Sequence, residues 1–227
     1  MSMRLRAKPW SQKELAENPM YIPNPRKLQS RWRELFGNDN PIHLEIGCGK
    51  GKFITEHALR HPNINFIAME KFEKIVCVAM RRARLSADSP PPNLYFFRED
   101  AEDILEFFGP GELTRIYLNF SDPWRDRGKW RKRRLTHRGF LAKYEDIMKG
   151  SAKEIHFKTD NVPLFDFSLI EFQETGWQLQ NVTYDLHNSS YCDSNIMTEY
   201  EEKFASQGLK ICRLEASKYG DGDVANV

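Results

Sequence analysis

Short apolar runs alternate with amphipathic segments from residue 41 to residue 176, and this alternation predicts strands that alternate with helices. The apolar runs predicted as strands lie at residues 42–46, 64–69, 94–98, 115–120 and 154–158. The segments between them carry apolar residues at helical spacing, and Pro62 stops the first of these helices. Five βα units in a row indicate a parallel sheet with helices on both faces.

The sequence also predicts where several of the helices in these units begin and end. Residues 101–108 are predicted to be helical, and residues 140–148 place apolar side chains at helical spacing, with Gly150 as the expected end of that helix. Asn161 is expected to cap the following helix, with Pro163 in its first turn.

The pattern changes after residue 176. Two strand-like segments at 177–184 and 209–215 enclose a loop and a short helix at 198–207. Five parallel strands followed by these two give an α/β fold with a mostly parallel seven-stranded sheet and an antiparallel terminal strand. Residues 41–217 are assigned to this domain. Residues 1–40, rich in Arg, Lys, Pro and Asn, are expected to form a basic arm or cap, and residues 218–227 a flexible tail.

Composition narrows the class of protein. Of the 227 residues, 40% are hydrophobic, which is enough for a substantial core. The four cysteines form no C-x-x-C pair and no zinc-type spacing, so we expect reduced thiols, a cytoplasmic location and no metal. The first ten residues have no apolar core of the signal-peptide kind, so they are not expected to be a signal peptide. No run of about 18 apolar residues occurs, so no membrane span is expected.

The loop after the first strand contains glycines at alternate positions, Gly47, Gly49 and Gly51. Such spacing lets the backbone turn sharply and lets a ligand approach it closely. Because residue 52 is Lys, the pattern is not the G-x-G-x-x-G of dinucleotide sites, and this favours S-adenosylmethionine, which has no pyrophosphate to bind. A tight turn with no ligand is the structural alternative.

Acidic residues follow successive strands of the predicted sheet. Glu70 follows the second strand about 20 residues beyond the glycine loop, where a carboxylate can accept both ribose hydroxyl groups. Asp100 follows the third strand, where it can accept an N–H from an adenine amino group. Each acid has an ordinary alternative role as a helix cap. Together with Glu45, they favour a nucleoside site over independent caps.

The fourth strand ends abruptly in Ser121-Asp122-Pro123-Trp124. In open α/β sheets ligands bind at the carboxyl ends of strands, so Asp122 is a candidate catalytic residue, although a turn aspartate before proline is also common.

Residues 125–134 carry seven basic residues and one acidic residue, a net charge of +6. The whole chain carries +2, so the remainder carries −4. This concentration predicts a polyanionic partner, and Trp124 and Trp130 suit stacking on nucleobases. A solvated charged face is the alternative.

Two further features lie later in the chain. Residues 198–201, Thr-Glu-Tyr-Glu, match a capping box, which on chemistry alone is structural. Asp160 ends the fifth strand and serves either as a cap or as a side chain of the same pocket.

Taken together, these motifs resemble the bacterial tRNA (guanine-N7)-methyltransferase family. The matching stretches are residues 43–51, 119–124, 132–136, 156–161 and 195–204. The resemblance runs from about residue 4 to residue 215 and implies a Rossmann-like class I methyltransferase fold. It also implies S-adenosylmethionine as cofactor and methylation of guanine N7 in the variable loop of tRNA.

Site residues carry over from the family by position. The cofactor would meet Glu45, the glycine loop with Gly47 and Gly49, Glu70, Asp100 and Asp122. The tRNA guanine would meet Asp160, Thr198, Glu199, Tyr200 and Glu201. One departure is that the segment after Asp-Pro-Trp is one residue longer than is usual, so Arg127 and Lys129 are candidates for the family's substrate-contacting lysine.

The chemistry of guanine N7 requires little from the protein. This nitrogen has a lone pair and no proton, so positioning and electrostatic support suffice, and Asp122 is expected to stabilise the positive charge that develops on the ring. The alternatives are an exocyclic-amine methyltransferase, which shares a similar Asp-Pro motif, and a non-catalytic RNA-binding protein. Monomer and homodimer both remain open.

Overall fold

The computed structural model describes residues 9–148 and 153–219. Its α-helices are α1 (Pro9–Glu17), α2 (Trp32–Phe36), α3 (Lys52–Arg60), α4 (Glu73–Leu85), α5 (Gly128–Arg131), α6 (Arg138–Ile147), α7 (Val162–Glu174) and α8 (Glu199–Ala205). Its strands are β1 (Ile42–Ile46), β2 (Asn65–Glu70), β3 (Leu94–Arg98), β4 (Arg115–Asn119), β5 (Lys153–Thr159), β6 (Gln178–Thr183) and β7 (Cys212–Lys218). Short 3-10 helices lie at Pro25–Leu28, Ala101–Glu106 and Leu186–Asn188.

The strands form one sheet in the order β3-β2-β1-β4-β5-β7-β6. Strands β1 to β5 pair in parallel, and β7 lies antiparallel between β5 and β6. The predicted α/β class and mostly parallel seven-stranded sheet are confirmed. Strand order reverses between β1 and β4, and such a switch point opens a crevice at the carboxyl ends of the strands.

Apolar side chains pack on both faces of the sheet, as expected where parallel strands are covered on both sides. All residues of β1 and β2 are buried. On one face Phe53 of α3 and Met80 of α4 join the core. On the other face Tyr144 of α6 and Phe165 of α7 do so. Burial of these large side chains fixes the strand ends from which the cleft is built.

The segment 9–40 packs against the edge of the sheet beside β3. Trp32 is fully buried, stacks on Phe108 with ring centroids 5.3 Å apart, and donates its indole N–H to the Phe107 carbonyl at 2.8 Å. The backbone N–H of Ile22 donates to the Phe96 carbonyl at 2.8 Å. The arm at 1–40 and the tail at 218–227 stay predictions, because residues 1–8 and 220–227 lie outside the described residues.

Several predicted boundaries differ from the structure. The predicted helix at 101–108 is a 3-10 helix that is kinked at Asp103 and ends at Glu106. The two residues that follow it, Phe107 and Phe108, are buried in the core. Strand β7 begins at Cys212, three residues later than predicted. Asn161 caps α7 as predicted, since its side chain accepts the Leu164 N–H at 2.8 Å. Gly150 lies outside the described residues.

Within the described ranges, no helix is long and apolar enough to span a bilayer.

Candidate active site

A cleft of about 320 Å³ opens at the carboxyl ends of β1 to β4, at the switch point of the sheet. Four of the predicted site residues line it together, namely Gly47, Glu70, Asp100 and Asp122. The other lining residues are Ile46, Met69, Lys71, Phe72, Ile75, Glu99, Ala101, Glu102, Asn119, Phe120, Ser121, Trp124, Arg133, Leu135 and Phe140. The structure therefore gathers carboxylates from the ends of β2, β3 and β4 around one space.

Glu70 braces the glycine loop. Its Oε2 accepts the Gly49 N–H at 3.1 Å and its Oε1 accepts the Phe72 N–H at 3.0 Å. Gly47 and Gly49 adopt φ values of +76° and +55°, which L side chains rarely adopt. Burial raises the pKa of Glu70. Each of its oxygens keeps a lone pair, so Glu70 can hold the loop and still accept hydrogen bonds from a ligand.

Glu45 lies beneath the cleft and not on its lining. It is 1% exposed, and its Oε1 accepts the Asn119 side-chain N–H at 2.8 Å. Its Oε2 is buried with no hydrogen-bond partner in the described part of the chain. Burial raises the pKa of Glu45 to about 8. Such an oxygen needs either a proton or a donor from a ligand.

Asp100 is both a cap and a cleft residue. Its Oδ1 accepts the Glu102 N–H at 3.2 Å at the start of the 3-10 helix, so Asp100 has the capping role that was the alternative to a ligand contact. Its other oxygen pairs with Lys71. Burial alone would raise the pKa of Asp100, but the hydrogen bonds from Lys71 and Glu102 hold it below its usual value.

The segment after β4 leaves the sheet through a strained residue. Phe120 adopts φ +53° while its N–H donates to the Lys158 carbonyl at 2.9 Å. A bulky residue in this region of φ and ψ costs roughly 1–3 kcal/mol and persists where the surroundings fix it, often at functional sites. The turn continues with the Trp124 N–H donating to the Asp122 carbonyl at 2.9 Å, and the Asp122 side chain is exposed in the cleft.

A second group of predicted residues lies beside this cleft. The Tyr200 hydroxyl donates to Asp160 Oδ2 at 2.9 Å. The Tyr200 ring lies 4.9 Å from the ring of Phe120, which itself lines the cleft. Asp160 and Tyr200 thus adjoin the cleft without lining it.

The predicted capping box at 198–201 is confirmed, because Thr198 and Glu201 exchange both hydrogen bonds. Glu201 is 0% exposed and pairs with Lys158 at 2.7 Å. Glu199 pairs with Arg82 of α4. Within the tetrad, Tyr200 is the residue with a largely exposed side chain, 42% accessible. Direct substrate contact by all four side chains stays a prediction.

Lys158 is a site residue that sequence patterns missed. It lies buried near the end of β5, and its Nζ also donates to the Asn195 side chain at 2.9 Å and the Ile196 carbonyl at 3.0 Å. Burial lowers its pKa. No clear signal was available, because Lys158 lies in a strand that also contains Lys153, Glu154 and His156.

The basic run at residues 125–134 contains both exposed and buried cationic side chains. Arg127 and Lys129, the candidates for the family's lysine, are exposed and do not line the cleft. Arg134 is 4% exposed and its Nε donates to the Trp124 carbonyl at 2.8 Å. Arg133 reaches the cleft beside Trp124. Spacing alone could not separate these roles, because all the cations belong to one continuous run.

Comparison of the sequence with known proteins shows the family to which the chain belongs. Residues 39–214 match the sequence profile of a family described as "Putative methyltransferase". The chain is 50% identical over 214 residues to the tRNA (guanine-N(7)-)-methyltransferase of Geobacillus sp. (strain WCH70), covering 94% of each chain. It is 48% identical to the enzyme of that name from Bacillus subtilis (strain 168), covering 94% of this chain and 98% of the relative.

Solved structures show the same fold at low identity. The 16S rRNA methyltransferase KamB superposes with a TM-score of 0.62 at 15% identity, over 84% of this chain and 94% of that one. The likeness places this sheet among methyltransferase folds, and the two relatives, matched at about half of their positions, narrow the assignment. The chain therefore belongs to the tRNA (guanine-N(7)-)-methyltransferase family.

Proposed function

We propose that this protein transfers the methyl group of S-adenosylmethionine to N7 of a guanine in the variable loop of tRNA. The observation that carries the proposal is the cleft at the switch point, where Glu70, Asp100 and Asp122 converge in a member of this family. An acidic cleft beside a basic surface fits a cationic cofactor on one side and a polyanion on the other.

The residues of the cleft fit the cofactor. Glu45 lies beneath the lining, and its unpartnered, buried oxygen would accept a hydrogen bond from the ammonium group of a methionine moiety that reaches below Gly47. Glu70 would accept hydrogen bonds from the ribose hydroxyls, and Asp100 one from the adenine amino group. A Cβ added at Gly47 or Gly49 would meet nothing within 4 Å, so the loop borders open space. When bound, the cofactor supplies a methyl group on a positively charged sulfur.

The protein's own part in the reaction is orientation and charge stabilisation. Guanine N7 needs no general base, because it carries a lone pair and no proton. Asp122, exposed at the end of β4, would face the imidazole part of the ring and stabilise the positive charge that forms there. Asp160 and Tyr200 would bound the guanine on the β5 side.

The tRNA backbone would lie across the exposed part of the basic run, where Arg127 and Lys129 are available for phosphate contacts. A tRNA substrate implies a cytoplasmic protein. The reaction proposed needs no metal, and in the described residues no cluster of three or more His, Cys, Asp or Glu side chains is placed to hold one.

The position of the methyl group tests this proposal directly. The protein is incubated with labelled S-adenosylmethionine and unmodified bulk tRNA, and the nucleosides are then separated. N7-methylguanosine has a cationic ring open to borohydride reduction and aniline cleavage, so we expect a break in the variable loop. Incorporation without that break would instead indicate an exocyclic-amine methyltransferase. Binding without incorporation would indicate a non-catalytic RNA-binding protein.

A further inference from the structure

Two tryptophans form a stacked pair at the mouth of the cleft. The rings of Trp124 and Trp130 lie 5.4 Å apart with planes 15° from parallel. The Arg133 guanidinium lies 4.3 Å from the Trp124 ring centre and 5.5 Å from that of Trp130. Trp124 and Arg133 both line the cleft, whereas Trp130 does not.

These distances place Trp130 and Arg133 on the same face of Trp124. On opposite faces of a stacked ring, the guanidinium would lie well beyond the observed 5.5 Å from Trp130. Within the described part of the chain, no other ring or cation lies against Trp124. One face of its indole is thus covered by Trp130 and Arg133, and we infer that the other, open face borders the cleft, because Trp124 is half-buried and lines it.

A buried arginine, Arg134, holds the loop that carries the two tryptophans. The buried Arg134 binds the Trp124 carbonyl and lies 4.5 Å over the ring of Phe167 in α7. Arg134 also pairs with Asp126 at 3.4 Å, which closes the loop that carries both tryptophans. A surface aromatic ring that is fixed in this way loses little conformational entropy when a ligand stacks on it.

We propose that the open face of Trp124 is a stacking site for the guanine that becomes methylated, a refinement that rests on the proposed function. Every nucleobase presents a π-face suited to an aromatic platform, and a base must leave its own stack to reach a cleft of this kind. The indole face also attracts positive charge, so Trp124 favours the ring as it becomes cationic. Arg133, on the covered face, is placed to pair with a phosphate next to the flipped base.

A fluorescent base reports this stacking. Unmodified tRNA transcripts are made with 2-aminopurine in place of each variable-loop guanine in turn, and each is bound by wild type, Trp124→Leu and Trp124→Phe. At one position we expect emission to be strongly quenched by wild type, partly by Trp124→Phe, and much brighter with Trp124→Leu. Affinity for the unsubstituted tRNA should fall by about 5- to 150-fold in Trp124→Leu, the range for loss of one base–aromatic stack.

Two controls separate stacking from damage to the fold. Trp10→Leu removes an indole that lines a different cavity, with no residue shared with the cleft, and should leave quenching unchanged. The melting temperature of Trp124→Leu, measured by circular dichroism, should stay close to that of wild type, which would show that the fold is intact.

The outcomes test the stacking site and the proposed function separately. Equal emission in the wild-type and Trp124→Leu complexes at every position would overturn the stacking site, even if wild type methylates guanine N7. Quenching by Trp124 with methylation at a different atom would overturn the proposed function and leave the stacking site standing.

Discussion

At the scale of single residues, Glu45 is a carboxylic acid held where its charge is poorly solvated. Its pKa is raised from 4.5 to about 8, so between these values the folded protein keeps a proton that the unfolded chain loses. The folded state binds more protons there, and the stability that Glu45 contributes is therefore lost as the pH rises through this window.

We predict that Glu45→Gln removes this pH dependence, because the amide cannot ionise. The free energy of unfolding of the variant, relative to wild type, should rise by up to about 1.4 kcal/mol per pH unit between about pH 5 and pH 8. Denaturant titrations across that range provide the measurement. Glu17→Gln, at a 67% exposed side chain, is the matched control. Parallel stability curves for wild type and Glu45→Gln would contradict the prediction.

Asp122 is the opposite case, an exposed carboxylate whose charge faces the cleft. Asp122→Asn keeps its shape and removes the charge, so we expect turnover to fall by about 10²-fold or more, as for loss of one oriented electrostatic group. The melting temperature should hardly change. The control is Asp88→Asn, at an exposed aspartate in the loop after α4. Near-normal methylation by Asp122→Asn would mean that positioning alone is sufficient.

At this scale the sequence predicted that three acids would lie together at one edge of the sheet, but not the burial or partners of each predicted acid. Position after a strand was enough to bring Glu70, Asp100 and Asp122 to one cleft, because parallel strands share a carboxyl edge. The burial of Glu45 and of Arg134 could not be predicted, because burial depends on Asn119 and Phe167, which only the fold brings near.

At the scale of elements, α8 is fastened over the glycine loop by three carboxylates of its first turn. Glu199 pairs with Arg82, Glu202 with Lys52 at the start of α3, and Glu201 with Lys158. Glu201 also accepts the Asn195 side-chain N–H at 2.6 Å. This attachment sets the place of Tyr200, which follows Glu199 in the same turn, beside Phe120 and Asp160. The helix was predicted from its capping box, but its partners are distant in sequence and carry no local signal.

The buried and exposed pairs of α8 should differ sharply in energy. Glu201→Gln leaves the Lys158 ammonium buried without its carboxylate, and we expect a loss of about 3–5 kcal/mol in the free energy of unfolding. Glu202→Gln, on the same helix, removes a partner that is 46% exposed and should cost about 1 kcal/mol or less. Urea titrations of the two variants at one pH give the comparison. Equal costs would show that Lys158 is resolvated or loses its proton when Glu201 is neutral.

At the scale of the whole molecule, negative charge is concentrated in the cleft and positive charge in the segment after β4. The overall topology was predictable because five βα units leave few ways to build a parallel sheet. The position of β7 inside the sheet was not predictable, since an antiparallel strand near the end of a chain can pair at an edge or between neighbours. Its pairing with β5 depends on long-range contacts such as Phe157 opposite Leu214.

The same segregation predicts how the protein responds to salt. Arg127 and Lys129 are exposed beside an acidic cleft, so they are free to neutralise phosphates and release counterions from tRNA. Arg127→Gln with Lys129→Gln should reduce the slope of log K against log salt by roughly 0.7 to 0.9 per lost contact. S-adenosylmethionine affinity should be unaffected.

A control double variant, Lys27→Gln with Lys210→Gln, makes the same change in net charge at exposed sites outside the run. It should change the slope little, because condensed counterions are released by local contacts and not by total charge. Arg134→Gln makes a third comparison. This side chain is 4% exposed and holds the Trp124 carbonyl, so its loss should lower stability more than it changes the slope. If both double variants reduced the slope equally, the run after β4 would be a solvated face, and tRNA would respond only to the net charge of the protein.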